Sequence, residues 1–140
     1  MKSLLAKEYF KIANKFLAEK QYHDAISKYK EVLKIDTKNH ILYSNFGVAY
    51  KELGLYDQAI DAFEKSIKLK PNFSPAYNNL GNVYTAMGKT DLAISHYKRA
   101  IALAPHYIDA LRNLGAVYFF TGDTEKAIAV HVKVEKLQKK

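Results

Sequence analysis

A set of small and aromatic residues returns every 34 residues along this chain, as the glycines at 47, 81 and 115 mark most plainly. In the stretch from Tyr77 to Pro105, Tyr77, Leu80-Gly81 and Tyr84 fall at i, i+3, i+4 and i+7, which is one stripe of an α-helix. Gly88 ends that helix. A second stripe of Ala93, Tyr97 and Ala100 follows, and Pro105 prevents its continuation. One period earlier stand Tyr43, Phe46-Gly47, Tyr50, Gly54, Ala59, Phe63, Ser66 and Pro71; one period later stand Leu111, Leu114-Gly115, Tyr118, Gly122 and Ala127. The first copy is worn: Tyr9, Ile12-Ala13, Phe16, Lys20, Ala25, Tyr29 and Val32.

Glycine inside a helix costs about 1 kcal/mol relative to alanine, yet Gly47, Gly81 and Gly115 fall in mid-helix. Close approach of a second helix requires the missing side chain, with Ala59, Ala93 and Ala127 as the small partners and the aromatics filling the wider space above and below. Each unit is therefore a helical hairpin. The slots and the period resemble the tetratricopeptide repeat (TPR) over nearly the whole chain. The resemblance implies an all-α, right-handed superhelical solenoid of four TPR hairpins in one domain, with repeats at about 3–39, 40–73, 74–107 and 108–140. In the first repeat the helices should run from about Ser3 to Glu19 and from Tyr22 to Ile35; a terminal repeat is expected to be irregular.

The 140 residues, 49% of them apolar, suffice for a core, which a repeat array buries as a seam between neighbours. The chain has no cysteine, so disulfide scaffolds, Cys-ligated zinc and thiol nucleophiles are excluded, with a lean to the cytoplasm. Lys7 and Glu8 break the first apolar run before it could form a signal-peptide core, and no later run approaches membrane-spanning length, so the chain reads as soluble. The net charge of +8 invites an acidic partner. Much of it lies late in the second helices, at Lys34, Lys68, Lys70, Lys98 and Arg99, while Asp24, Asp57, Asp91 and Asp123 sit near helix starts, as helix dipoles alone would ask. Arg99 and Arg112 are the only arginines, which argues against a dedicated nucleic-acid site.

Catalytic signatures are wanting. Gly88-Lys89-Thr90 looks like the end of a phosphate loop, but the glycine needed five residues earlier is Val83. His23, His40, His96, His106 and His131 lie in different elements, with no pair at i, i+4, so neither a metal nor another cofactor is expected. No serine lies in a G-x-S-x-G context. Asn72-Phe73-Ser74 fits a glycosylation sequon, meaningful only in a secreted protein.

The face of the first helices that the packing stripe leaves over is the candidate site. In TPR superhelices this face lines a groove for extended peptides or partner helices. Here the resemblance places Lys7, Phe10, Lys11 and Asn14 in it, then Ile41, Ser44, Asn45, Val48 and Lys51, then Asn78, Asn79, Asn82 and Thr85, and last Asp109, Arg112, Asn113, Ala116 and Phe119. TPR co-chaperones hold a terminal carboxylate in a clamp of lysines, asparagines and an arginine. This chain matches it at Asn14 and Asn45 but has Phe10, Pro75 and Asn79 where cations belong. Asn45, Asn79 and Asn113 instead resemble the asparagine ladder of the superhelix in O-GlcNAc transferase, with Lys11 in that slot of the worn repeat. All three are expected to lie outside the packing seam.

The last helix carries Ile128, Val130, Val132, Val134 and Leu137, apolar on more than one face and without the polar helix that usually follows in this family. The reading is a non-enzymatic interaction scaffold that binds a protein or peptide, acidic by the charge of the groove. The alternatives are a targeting array belonging to a larger enzyme, and a self-assembling block whose last helix packs on another copy.

Overall fold

The computed structural model describes residues 1–139; among them are eight α-helices and no strand. They are α1 (Lys2–Ala18), α2 (Tyr22–Leu33), α3 (His40–Glu52), α4 (Tyr56–Leu69), α5 (Ser74–Ala86), α6 (Thr90–Leu103), α7 (Ile108–Phe120) and α8 (Thr124–Gln138). The helices group into two compact units, Met1–Pro71 and a second that begins at Asn72. In the first unit α1 packs on α2 and α3 on α4, and α3 lies against both α1 and α2. In the second, α5 pairs with α6 and α7 with α8, and α7 lies against α5 and α6. The expected helices of the first repeat are met to within two residues at each end.

The turns inside the hairpins repeat one geometry. Gly54, Gly88 and Gly122 have φ of 75°, 74° and 86°, and the next N–H reaches back to a carbonyl in the last helical turn: Leu55 to Tyr50 at 2.9 Å, Lys89 to Tyr84 at 2.8 Å, Asp123 to Tyr118 at 2.9 Å. This is the left-handed closure that glycine adopts without steric cost. In the worn repeat Gln21 N–H makes the same bond to Phe16 at 2.9 Å, but the left-handed residue is Lys20, with φ 61°. Helix starts are marked by Asp24, Asp57 and Asp91 in the first turns and by the Asn39 side chain, which accepts from Leu42 N–H at 3.0 Å.

The mid-helix glycines do admit a close neighbour, but that neighbour is the second-helix aromatic and not the alanine assigned from the sequence. A Cβ on Gly47 would lie 2.7–2.9 Å from ring atoms of Phe63, and one on Gly81 would run into the ring of Tyr97. Ala59 and Ala93 are fully buried but are not among the nearest atoms to either glycine. Both rings lie against the bare backbone and are buried, Phe63 fully and Tyr97 to within 2%. At Gly115 the slot faces Val130, with the nearest approach 3.3 Å. The first unit's core then builds outward from Tyr29, whose ring lies 6.0 Å from Phe46 and 6.2 Å from Phe10, with Val32, Leu42 and Ala49 around it. Tyr97, Leu114, Val117 and Tyr118 form the second unit's counterpart.

Two outcomes test these contacts. Gly81→Ala should destabilise by about 1–3 kcal/mol, because Tyr97 is buried and hydrogen-bonded and cannot turn away, whereas Gly115→Ala should be neutral or stabilising, since half-buried Val130 can shift. Equal melting temperatures for the two variants would reject the ring-on-glycine account. Lys20→Gly should raise stability by about 1 kcal/mol through relief of the left-handed strain, measured by urea unfolding.

Candidate peptide-binding faces of the two units

In the first unit, Lys7, Lys11 and Ile41 are exposed, Phe10, Asn14, Asn45, Val48 and Lys51 are half-buried, and Ser44 is buried. Asn14 is the centre of this face. Its Oδ1 accepts from the Tyr29 hydroxyl at 2.6 Å and from Asn45 Nδ2 at 3.0 Å. Burial pushes the Tyr29 hydroxyl well above its usual pKa, partly offset by the Asn45 amide, so it stays a neutral donor. Asn45 is therefore tied into the seam between α1 and α3, contrary to the expectation that it stands outside. Lys51 lies 3.6 Å from Glu52, which leaves Lys7 and Lys11 as the unopposed cations of the face among the described residues.

In the second unit, Thr85, Asp109, Arg112, Ala116 and Phe119 are exposed, Asn79, Asn82 and Asn113 are half-buried, and Asn78 is buried. Asn113 Nδ2 donates to Asn78 Oδ1 at 3.0 Å, and Asn78 Nδ2 reaches the Tyr107 hydroxyl at 3.4 Å. Asn82 Oδ1 accepts from the Tyr97 hydroxyl at 2.6 Å, and the Thr85 hydroxyl donates to Gly81 O at 2.9 Å and sits 3.1 Å from Tyr97 Oη. Burial raises the pKa of Tyr97, with Thr85 pulling the other way. Ser44, Asn78 and the Thr85 hydroxyl thus belong to the scaffold rather than to an open groove, and Asn113 is a seam residue like Asn45.

The sequence held a signal for this. At one slot of the first helices stand Asn14, Val48, Asn82 and Ala116; at the matching slot of the second helices stand Tyr29, Phe63, Tyr97 and His131. Wherever the ring carries a hydroxyl inside the core, the facing slot carries an amide to accept its proton, and where the ring is phenylalanine the slot is valine. A buried hydroxyl without an acceptor would cost about 1–3 kcal/mol, so the pairing follows.

Each of these amides keeps one end open. Asn14 Nδ2, the Asn45 carbonyl, Asn82 Nδ2 and the Asn113 carbonyl have no partner among the described residues, and none is sealed from solvent. The last helix is less exposed than its sequence suggests. Val134 is buried, Val130 and Leu137 are half-buried, and Ile128 and Val132 alone of the five lie open. Ile128 joins Phe119, Phe120 and Val130 in lining a groove of about 600 Å³. Among the described residues no group of three His, Asp or Glu is placed to hold a metal, and no helix is long and apolar enough to cross a membrane.

Family comparison agrees with the hairpin geometry. Residues 73–140 match a model described as tetratricopeptide repeat, and residues 13–54 and 49–88 match one described as TPR repeat. The chain belongs to the tetratricopeptide repeat family. Among solved structures it is similar to MamA, with a TM-score of 0.87 and 28% identity over 96% of this chain and 78% of that one. It is also similar to the second TPR domain of human RPAP3, solved in complex with the HSP70 peptide SGPTIEEVD, with a TM-score of 0.77 and 25% identity over 84% of this chain and 98% of that one. Rat sperm-associated antigen 1 is 42% identical over 45 residues, which are 32% of this TPR chain and 5% of that protein. The chain thus spans about one twentieth of the curated relatives it matches.

Asn14→Ala should cost about 1–3 kcal/mol in urea unfolding, because it strands the Tyr29 hydroxyl in the core. Asn14→Val combined with Tyr29→Phe, which copies the Val48–Phe63 pair, should recover most of that loss. A neutral Asn14→Ala would show that the hydroxyl has another acceptor.

Proposed function

We propose that this TPR chain is a non-catalytic interaction module that holds acidic peptides in extended form on the first-helix faces of its units. The observation that carries the reading is the set of half-committed amides. One end of Asn14, Asn45, Asn82 and Asn113 is fixed by a hydrogen bond inside the unit, and the other end is open to solvent. A side chain already ordered loses little entropy when it binds, so its free donor or acceptor can pair with a peptide C=O or N–H whatever the peptide sequence. Exposed Lys7 and Lys11 in the first unit, and Arg112 in the second, supply the preference for acidic side chains, and Phe10, Ile41 and Phe119 the apolar contacts. The acidic peptide held by the similar RPAP3 domain supports the same polarity.

The clamp cations are missing, since Pro75 lies in the first turn of α5 and position 79 is asparagine. Recognition on this reading does not use a free carboxyl terminus. A second reading is favoured by the short match to much longer curated relatives: that the array serves as the binding segment of a longer polypeptide.

The test uses fluorescein-labelled SGPTIEEVD with a free or amidated terminus, and a version in which both glutamates are lysine. The free and amidated peptides should bind within about threefold of each other, and the lysine version at least tenfold more weakly. Asn45→Ala with Asn113→Ala should weaken binding by about 1–3 kcal/mol, the worth of two net hydrogen bonds, while helicity is kept. Equal binding of the acidic and lysine peptides, or full binding by the double variant, would reject the proposal.

A further inference from the structure

In the first unit a groove of about 510 Å³ is lined by Leu33 of α2, by Tyr43, Phe46 and Tyr50 of α3, and by Ala62 of α4. Neighbouring repeats fill the place of Ala62 with a longer side chain. One period before it stands Lys28 (62 − 34 = 28), whose ammonium lies 4.6 Å from the ring centre of Tyr9, the residue in the slot of Tyr43. One period after it stands His96 (62 + 34 = 96), whose ring lies 5.0 Å from that of Tyr84, in the slot of Tyr50. Alanine is too short to cover either tyrosine. A second cation is diverted as well. The Arg99 guanidinium lies 5.8 Å from the ring centre of Tyr77, but its counterpart Lys65 (99 − 34 = 65) is drawn to Asp61 at 3.0 Å, where the other repeat has the uncharged Ser95. The α7/α8 hairpin again sets a cation over a tyrosine, Lys126 on Tyr118 at 5.6 Å. Tyr43 and Tyr50 alone of these paired rings carry no cation among the described residues.

Four charged groups border the groove. Asp61 and Lys65 neutralise each other. Asp57 of α4 and Lys30 of α2 are both exposed and have no ion-pair partner among the described residues. Lys30 carries its ammonium on a flexible stem that can turn to solvent, whereas Asp57, short and fixed in the first turn of α4, keeps its carboxylate at the rim. Phe46 packs 4.6 Å from Tyr50 and fixes that ring in place. A ring face attracts positive charge but offers no strong hydrogen-bond acceptor, so the ion that gains most from it is one without N–H groups to satisfy.

We propose that this groove binds a small quaternary ammonium ion, its charge over Tyr43 and Tyr50 in the place that Lys28 and His96 take in neighbouring repeats, with Asp57 as the counter-charge. The volume is that of a small-molecule site. None of its residues belongs to the first-helix faces proposed to hold peptides. Choline is the probe, and its neutral carbon analogue, 3,3-dimethylbutan-1-ol, is the control. In amide NMR titrations of the full chain, choline should shift Tyr43, Tyr50 and Ala62 saturably and bind at least tenfold more tightly than the alcohol. Ala62→Lys, which copies Lys28, should abolish binding, and Tyr43→Leu, which copies Leu111, should weaken it at least fivefold; circular dichroism checks that each variant keeps its helicity. Asp57→Asn should weaken binding about threefold, and Lys30→Gln should strengthen it. A peptide carrying one trimethyl-lysine should bind no more tightly than choline. The absence of any saturable shift overturns the proposal, as does equal binding of choline and the alcohol, or undiminished binding by both Ala62→Lys and Tyr43→Leu. A trimethyl-lysine peptide that binds tenfold more tightly than choline also overturns it, by assigning the groove to a partner's side chain. None of these outcomes depends on the binding of acidic peptides.

Discussion

The contact between a bare helix backbone and an aromatic ring anchors one hairpin in each unit. Phe63 on Gly47 and Tyr97 on Gly81 bring two helices together at a distance that any side chain on the glycine would widen. The interaction is mainly dispersion and apolar burial, and it is worth most when both surfaces are flat and dry. The far edge of the ring then decides what the first helix may carry. A phenylalanine edge needs only carbon, and Val48 supplies it; a tyrosine hydroxyl needs an acceptor, and Asn14 or Asn82 supplies that. The amides that face solvent are thus a consequence of how the hairpin is packed. On the proposed reading, binding chemistry and core chemistry share side chains in this chain.

That sharing explains what could be read from the residues and what could not. The hairpins were legible because glycine at Gly47, Gly81 and Gly115 is costly in a helix and recurs regardless, and because Gly54, Gly88 and Gly122 fall where left-handed turns need them. Helical periodicity marks a stripe as apolar but does not say which way a residue at the stripe's border turns. Asn45 and Asn113 lie on that border, and a neighbouring amide one repeat earlier, Asn14 or Asn78, drew each inward. Val134 lay on the opposite border and turned into the core, although its neighbours Ile128 and Val132 did not. The coupled variation of Asn or Val with Tyr or Phe was present in the sequence, but it becomes visible only when the two helices of a repeat are compared with each other and not one slot at a time.

Charge plays a different part from packing. The ion pairs among the described residues, such as Lys65–Asp61 at 3.0 Å and Lys28–Glu31 at 3.0 Å, are short-range helix-surface pairs with at least one exposed partner, and such pairs contribute little to stability. The Asp61 carboxylate raises the pKa of Lys65, which keeps that lysine charged but does not make the pair a structural anchor. The surplus of positive charge therefore acts outward. On the proposed reading, exposed lysines would accelerate encounter with an acidic segment and discriminate against a basic one, while fixed amides would determine how long an extended backbone stays.

The ends of a repeat array meet a constraint that its middle escapes. A slot inside the array can be purely apolar, since another helix always covers it, as α7 covers Ile94 and Ile101. The same slot at an edge, if kept apolar, would be a surface on which any hydrophobic segment could settle. On α8 the slot of Ile101 holds Glu135 and the slot of Tyr97 holds His131, while Ile128, in the slot of Ile94, is apolar and exposed. Full conversion to polar residues would close such a face, and no conversion would leave it indiscriminate. A mixed slot of this kind retains apolar contact area while penalising any partner whose charges do not match.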